Sequence, residues 1–255
     1  MLYLLRKKSH PAGGAFVKKR AETILFCAGL LFSLISTAQY APELNRIDQD
    51  AKPYYFGMSI GINSARFQTE LHPHFLENDS VLVAEPTNSG GISLGFQATT
   101  RLSYRFQLRF NPQLMFVERN IHYILKYRDI VSGDSNVTKK VESIIAAFPF
   151  QLKFQSDRIG NFRVYTLLGI KADIDMASNA RAKKAEDLVK IEKFDFGPEF
   201  GLGFNFYFPA FTLSPEVKIS NGLRNLHARD ENLKFSNVFD RIQSRMIVFT
   251  IHIEG

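Results

Sequence analysis

Phe194-Asp-Phe-Gly-Pro-Glu-Phe-Gly-Leu-Gly-Phe-Asn-Phe-Tyr-Phe208 alternates along its whole length. Phe194, Phe196, Phe200, Leu202, Phe204, Phe206 and Phe208 share one parity, interrupted only by Pro198. Asp195, Gly197, Glu199, Gly201, Gly203, Asn205 and Tyr207 share the other. Successive side chains on a strand point to opposite faces, so one face is aromatic and the other small or polar. Soluble sheets show such a pattern over five or six residues. Over fifteen, it matches a strand whose apolar face meets lipid and whose other face lines a lumen.

Seven other segments carry the same period. Tyr54–Asn63, Gly91–Leu102, Phe106–Val117 and Glu142–Phe154 are clear cases; Phe162–Met176 is weaker, and Phe211–Leu223 and Ser244–Glu254 complete the set. Their connections alternate in length: about 27 residues, then Ser103-Tyr-Arg105, about 24, Gln155–Asn161, about 17, Pro209-Ala210, and about 20. Outer-membrane barrels place long loops outside and tight turns in the periplasm. A soluble sandwich has no reason to gather every long connection at one end. Eight is an even number, each segment is long enough to cross a bilayer, and closure leaves no sheet edge in lipid. The expected fold is all-β, an eight-stranded antiparallel transmembrane outer-membrane β-barrel over residues 54–255.

The N-terminus supplies the export signal. Arg6, Lys7, Lys8, Lys18, Lys19 and Arg20 precede the apolar run Ile24–Ile35, which ends in Ser36-Thr-Ala38. A basic region, a short apolar core and small residues at the cleavage site make a secretory signal peptide. Residues 1–38 are therefore expected to leave, with 39–53 a short periplasmic segment. The chain's +7 charge rests on 32 basic and 25 acidic residues. Six of the basic and one of the acidic lie in the leader, leaving a mature net charge of +2. The high pI belongs to the targeting segment and gives no reason to expect a nucleic-acid partner. Cys27, the chain's single cysteine, goes with the leader, which excludes disulfides and thiolate chemistry from the mature chain.

Four in-strand prolines, Pro112, Pro149, Pro198 and Pro215, oppose the barrel, since each removes a ladder donor. They predict bulges or locally broken pairing. The absence of Trp leaves the aromatic girdle to Phe and Tyr.

Several motifs bear on family. Gly57-Met-Ser-Ile-Gly-Ile-Asn63, Phe148-Pro-Phe-Gln-Leu-Lys-Phe154 and Arg163-Val-Tyr-Thr-Leu-Leu-Gly169 are followed by Gly197–Phe206, Leu213-Ser-Pro-Glu-Val-Lys-Ile-Ser-Asn-Gly-Leu-Arg-Asn-Leu226 and Ser244–Glu254. Their order and spacing resemble the PorT-like outer-membrane barrels of Bacteroidetes. The first three are common to many small barrels of that phylum, and the last two point more narrowly to PorT. The resemblance implies a part in the type IX secretion system, which exports proteins across the outer membrane and in some species supports gliding motility. It brings no catalytic residues.

Candidate sites are few. His72-Pro-His74 is too small a ligand set for a metal, which needs three or four donors, and a solvated loop is expected there. His252, at lumen parity with Thr250 and Glu254 nearby, raises the lipid-modifying barrel enzymes, but the last strand runs towards the periplasm and away from the outer leaflet. No catalytic, metal or cofactor site is expected. Arg109, Lys153, Arg163, Lys171, Glu199, Glu216 and Lys218 share the lumen parity. Eight strands leave an interior that side chains fill, so these charges are expected to pair. The basic segment Arg181–Lys184, with Lys190 and Lys193, is a candidate contact for lipopolysaccharide or a partner protein, with a solvated face as the ordinary alternative. Expected partners are outer-membrane lipids and lipopolysaccharide and, through the resemblance, other secretion components; no small-molecule substrate is expected. Adhesion or membrane stabilisation is the competing function.

Overall fold

The computed structural model describes residues 43–75, 80–128, 133–178, 189–228 and 235–255. The expected leader lies outside them. Among the described residues the strands are β1 (Tyr54–Leu71), β2 (Val81–Thr87), β3 (Ser89–Arg101), β4 (Phe106–Phe110), β5 (Gln113–Leu125), β6 (Asn136–Gln155), β7 (Phe162–Asp175), β8 (Phe194–Tyr207), β9 (Thr212–Asn221) and β10 (Phe239–Glu254). All pairings are antiparallel, and β10 returns to pair with β1, closing the sheet. β2 continues the path of β3 along β5, while β4 and β5 together fill the place between β3 and β6. The wall is therefore eight strands around. Chain-order neighbours pair throughout, as an up-and-down barrel requires.

Of the bulges or locally broken pairing expected at the prolines, the structure shows broken pairing at Pro112 and Pro215 and no bulge. None of the four shifts the register. β4 and β5 are separated at Asn111-Pro112, yet Ala98↔Phe110 and Gly95↔Gln113 keep one alignment, as do Phe110↔Phe150 and Gln113↔Ala147. Asn111 still donates its N–H to the Pro149 carbonyl at 3.3 Å, and Phe96 donates to the Pro112 carbonyl at 3.0 Å. Only the proline half of each exchanged pair is missing. At Pro215 the β8–β9 ladder lapses between Gly203↔Glu216 and Phe206↔Leu213, again without a shift. Pro149 and Pro198 sit within unbroken ladders to Lys171 and Ile170. In an antiparallel sheet each residue turns its N–H to one neighbour only, so a proline deletes one bond while both flanking strands hold the alignment. The register shifts that do occur lie far from these prolines, at Glu70/Leu71 and Val81/Val83.

Several strands run further than their apolar-out pattern indicates, because the pattern inverts. On β6, Ile144, Ala146, Phe148, Phe150, Leu152 and Phe154 point outward, but so do Asn136, Thr138, Lys140 and Glu142 one register below in sequence. The inward positions change the other way, from Gln151, Lys153 and Gln155 to Ile145, Val141 and Val137. β1, β5 and β10 invert at the same level, where Arg66, Glu118 and Arg245 replace outward aliphatics. Below this line the wall is apolar outside, and inside it passes from a thin apolar layer, Ala65, Met115, Val117, Ile145, Ala147, Met246 and Val248, to the polar lumen that a barrel in lipid carries. Above it the wall is polar outside and encloses an apolar core, as in a soluble barrel. That core comprises Phe67, Ile121, Tyr123, Val137, Phe235, Phe239 and their neighbours.

The short turns all lie at the opposite end. There Phe106 packs on Phe154 at 5.2 Å, Phe162 on Phe206 at 5.2 Å and Phe208 on Phe211 at 5.1 Å. With Tyr54 and Tyr104 these rings form the girdle in the absence of Trp. A 3-10 turn, Ile47–Asp50, precedes β1 at this end.

Candidate functional site

The candidate site is the lumen, and its contents follow from parity. Inward residues of β4, β6, β7, β9 and β10 converge from facing walls, since an eight-stranded ring is narrow enough for long side chains to meet across it. Arg109 on β4 donates Nη1–H to Glu216 Oε2 on β9 at 2.7 Å, and the Tyr165 hydroxyl donates to the same oxygen at 2.7 Å. Lys218 Nζ and His252 Nε2 lie 3.8 and 3.4 Å from Glu216 Oε1. Glu254 at the end of β10 accepts from Gln97 Nε2 at 2.8 Å and lies 3.6 Å from Arg109 Nη2 and 4.0 Å from Lys153 Nζ. Lys153 also sits 3.8 Å above the Tyr165 ring and reaches Asn205 Oδ1 at 3.3 Å. Every one of these charged groups is buried, so each depends on the opposite charges around it, with hydrogen bonds added at Arg109, Lys153, Glu216 and Glu254.

Tyr165 depends on a glycine. Gly203 pairs with it across β7 and β8, and a Cβ at that position would fall 2.4 Å from the ring. The bare backbone lets the ring lie flat along the wall and reach Glu216.

Of the seven charges sharing the lumen parity, Arg109, Lys153, Glu216 and Lys218 gather in this central cluster. The other three go elsewhere. Glu199 accepts from Gln151 Nε2 at 2.8 Å and has no ion pair among the described residues. Lys171 pairs with Asp173 at 2.6 Å near the inversion level. Arg163 pairs with Asp50 at 2.8 Å, at the short-turn mouth. Asp50 precedes the first strand, and no periodicity could have placed it in the lumen. Glu254 and His252 carry the same parity signal as the seven and belong to the central cluster.

The mouth is closed by the segment before β1. Arg46 donates to the Glu254 carbonyl at 2.7 Å and to Gln49 Oε1 at 2.7 Å, and Asn45 donates to the Tyr207 carbonyl at 3.0 Å. Arg158 reaches Asp50 at 3.3 Å, donates to the Asn45 carbonyl and stacks over Tyr207 at 3.9 Å. The internal cavities at this mouth and beside Asp173 and Asp195 measure about 10 Å³ each, room for a single water.

His252 is fully buried, and no hydrogen bond joins it to Thr250 or Glu254 among the described residues. Its nearest charged neighbour is Glu216, so these three side chains form no relay to a nucleophile. His72 and His74 lie with their rings tilted, 5.5 Å apart, at the tip of β1, and no group of three or more metal-ligating side chains occurs among the described residues. Arg181–Lys184 lies outside the described residues. Lys193 is exposed, with its ammonium 5.8 Å from the Phe194 ring.

A closed sheet, apolar outside and packed with paired charges inside, defines a small membrane-spanning barrel with a filled lumen. The family model for the outer membrane protein beta-barrel domain matches residues 38–228. The chain belongs to that family, and its place is the outer membrane. Among curated proteins none matches the sequence. Three solved structures illustrate the likeness. Ail, the attachment invasion locus protein of Yersinia pestis, is 10% identical over 80% of this chain and 100% of its own, with a TM-score of 0.37. Neisserial surface protein A is 11% identical over 78% and 96%, with a TM-score of 0.37. OprG of Pseudomonas aeruginosa is 14% identical over 78% and 93%, with a TM-score of 0.33.

Proposed function

We propose that this barrel is a non-enzymatic accessory component of the type IX secretion machinery, acting by assembly with other proteins of the outer membrane. The observation that carries this reading is the PorT-like motif set, above all Leu213–Leu226 and Ser244–Glu254. Fold alone would not carry it, because small barrels host many functions. The packed lumen supports the same direction: a ring filled by Arg109, Lys153, Tyr165 and Glu216 has no bore for a folded cargo. The contribution to export then lies on the outer surfaces, in the lipid face, the short turns or the collar above the inversion level. In this reading the short turns face the periplasm, and so does the segment that closes the lumen mouth.

The test is an in-frame deletion in the native organism, with proteomics of the medium and the cell surface. Loss of many secreted proteins from cells with an intact outer membrane is the expected result. Normal secretion would end the proposal. The collar favours a second reading, since it presents the long loops on a platform with its own apolar core. On that reading the protein works at the cell surface in adhesion or stabilisation, and deletion would impair attachment while leaving secretion unchanged.

A further inference from the structure

At the inversion level two arginines face each other across a strand pair. Arg66 on β1 and Arg245 on β10 are direct register partners, and both are exposed on the outer face. Beneath them lie Ser64 and Ile247, then Ile62 and Phe249, the top of the lipid-facing belt. Directly opposed residues hold their Cβ atoms about 4.5–5.5 Å apart, and like charges so placed repel. Neither guanidinium has an ion pair or hydrogen bond among the described residues. The nearest acid along the ladder, Glu70, is taken by Arg241 at 3.8 Å.

A second like-charged pair at this level shows what compensation within the protein looks like. Glu118 and Glu142 oppose each other on β5 and β6. Glu118 has Lys140 at 3.8 Å and accepts hydrogen bonds from Asn120 and Ser89 at 2.9 and 3.3 Å. Among the described residues no side chain bonds either arginine in this way.

We propose that Arg66 and Arg245 bind the phosphate monoester of a lipid in the leaflet at the long-loop end, a phosphorylated glycolipid of the lipid A type. Two guanidinium forks side by side match a phosphate oxygen set bidentately. Two positive charges match a monoester, which carries about −1.5 to −2 at neutral pH, better than the single charge of a phosphodiester. Their height places the phosphate at the headgroup level, with its acyl chains descending over Ile62, Ile247 and Phe249. The site uses residues other than those of the basic loop segment expected from sequence, and it stands or falls independently of the secretion role.

The test uses the full mature barrel, purified from membranes and exchanged into detergent, with lipid retention read by native mass spectrometry. Diphosphoryl lipid A is expected to stay bound to the wild type and to Arg105→Gln, which removes a charge at the opposite rim, and to be held more weakly by Arg66→Lys/Arg245→Lys, which keeps both charges without the forks. Retention is expected to fall at least tenfold in Arg66→Gln/Arg245→Gln, with each single Gln variant in between. Heat-modifiable migration checks that every variant is folded, and the single variants decide the matter if the double variant is not. Equal retention by the Gln variants would overturn the site. Equal binding of dephosphorylated lipid A would show that the acyl chains alone hold the lipid. Equal binding of phosphatidylglycerol would overturn the monoester assignment, and equal competition by inorganic phosphate would overturn the lipid.

Discussion

Glu216 is the residue on which the lumen turns. Its Oε2 receives both Arg109 and Tyr165 at 2.7 Å, and its Oε1 faces Lys218 and His252. Replacing Glu216 with Leu leaves those cations buried without their partner, and breaking a buried pair from one side costs about 3–5 kcal/mol. Equilibrium urea unfolding in lipid vesicles, followed by circular dichroism, should show a loss of that size; a change under 1 kcal/mol would mean that water replaces the carboxylate. Tyr165→Phe removes one bond to a charged acceptor and should cost roughly 1.5–3 kcal/mol. Gly203→Ala acts through the same ring, because its Cβ would fall within 2.4 Å of Tyr165. The two substitutions should therefore be strongly non-additive, and full additivity in a double-mutant cycle would separate Gly203 from the Glu216 bond.

At the scale of the element, the inversion along β1, β5, β6 and β10 sets where the membrane ends. Leu168 stands midway along the outward row of β7 and is well exposed there. Leu168→Arg puts a charge near the bilayer midplane and should destabilise the folded barrel by about 2–4 kcal/mol. Thr138→Arg, outward on β6 above the inversion level, should change stability by less than about 0.5 kcal/mol, as surface substitutions do. Urea unfolding of both variants in vesicles compares them directly; equal costs would mean that the belt does not end at Glu118 and Glu142. The prolines also belong to this scale. Within a closed ring each removes one ladder bond and leaves the register intact, so a strand can carry Pro149 or Pro198 without becoming an edge.

Two predictions concern the whole molecule. The lumen is packed along its length and closed at the short-turn mouth, so the purified barrel should give no stable single-channel currents in planar bilayers. Large, long-lived conductance steps would contradict a filled interior. Asp50→Asn weakens the mouth, where Asp50 holds both Arg163 and Arg158. Losing hydrogen bonds to a charged group should cost roughly 1.5–3 kcal/mol and speed hydrogen exchange in residues 44–52. It should not open a current, because the Arg109–Glu216 cluster lies behind it. A conducting Asp50→Asn variant would make the N-terminal segment the barrel's only seal.

Much of this fold was legible in the chain itself. A period of two with Phe, Ile and Leu on one parity has one stable solution in lipid, and the alternation of long and short connections orders the strands up and down. Parity assigns each charge to one face of the sheet, because it depends only on the backbone's pleat. Parity cannot show which charges meet across the ring, for that depends on stagger and on side chains from walls distant in sequence. Arg109 thus finds Glu216, 107 residues away, Arg163 finds Asp50 from outside any strand, and Glu254 joins the central cluster from the last turn of the wall. The upper strand ends were hidden for a related reason. A search for apolar residues facing out stops where the solvent changes from lipid to water, although the ladder continues. Only the closed tertiary structure shows that one sheet serves as a membrane barrel below that line and as a soluble one above it.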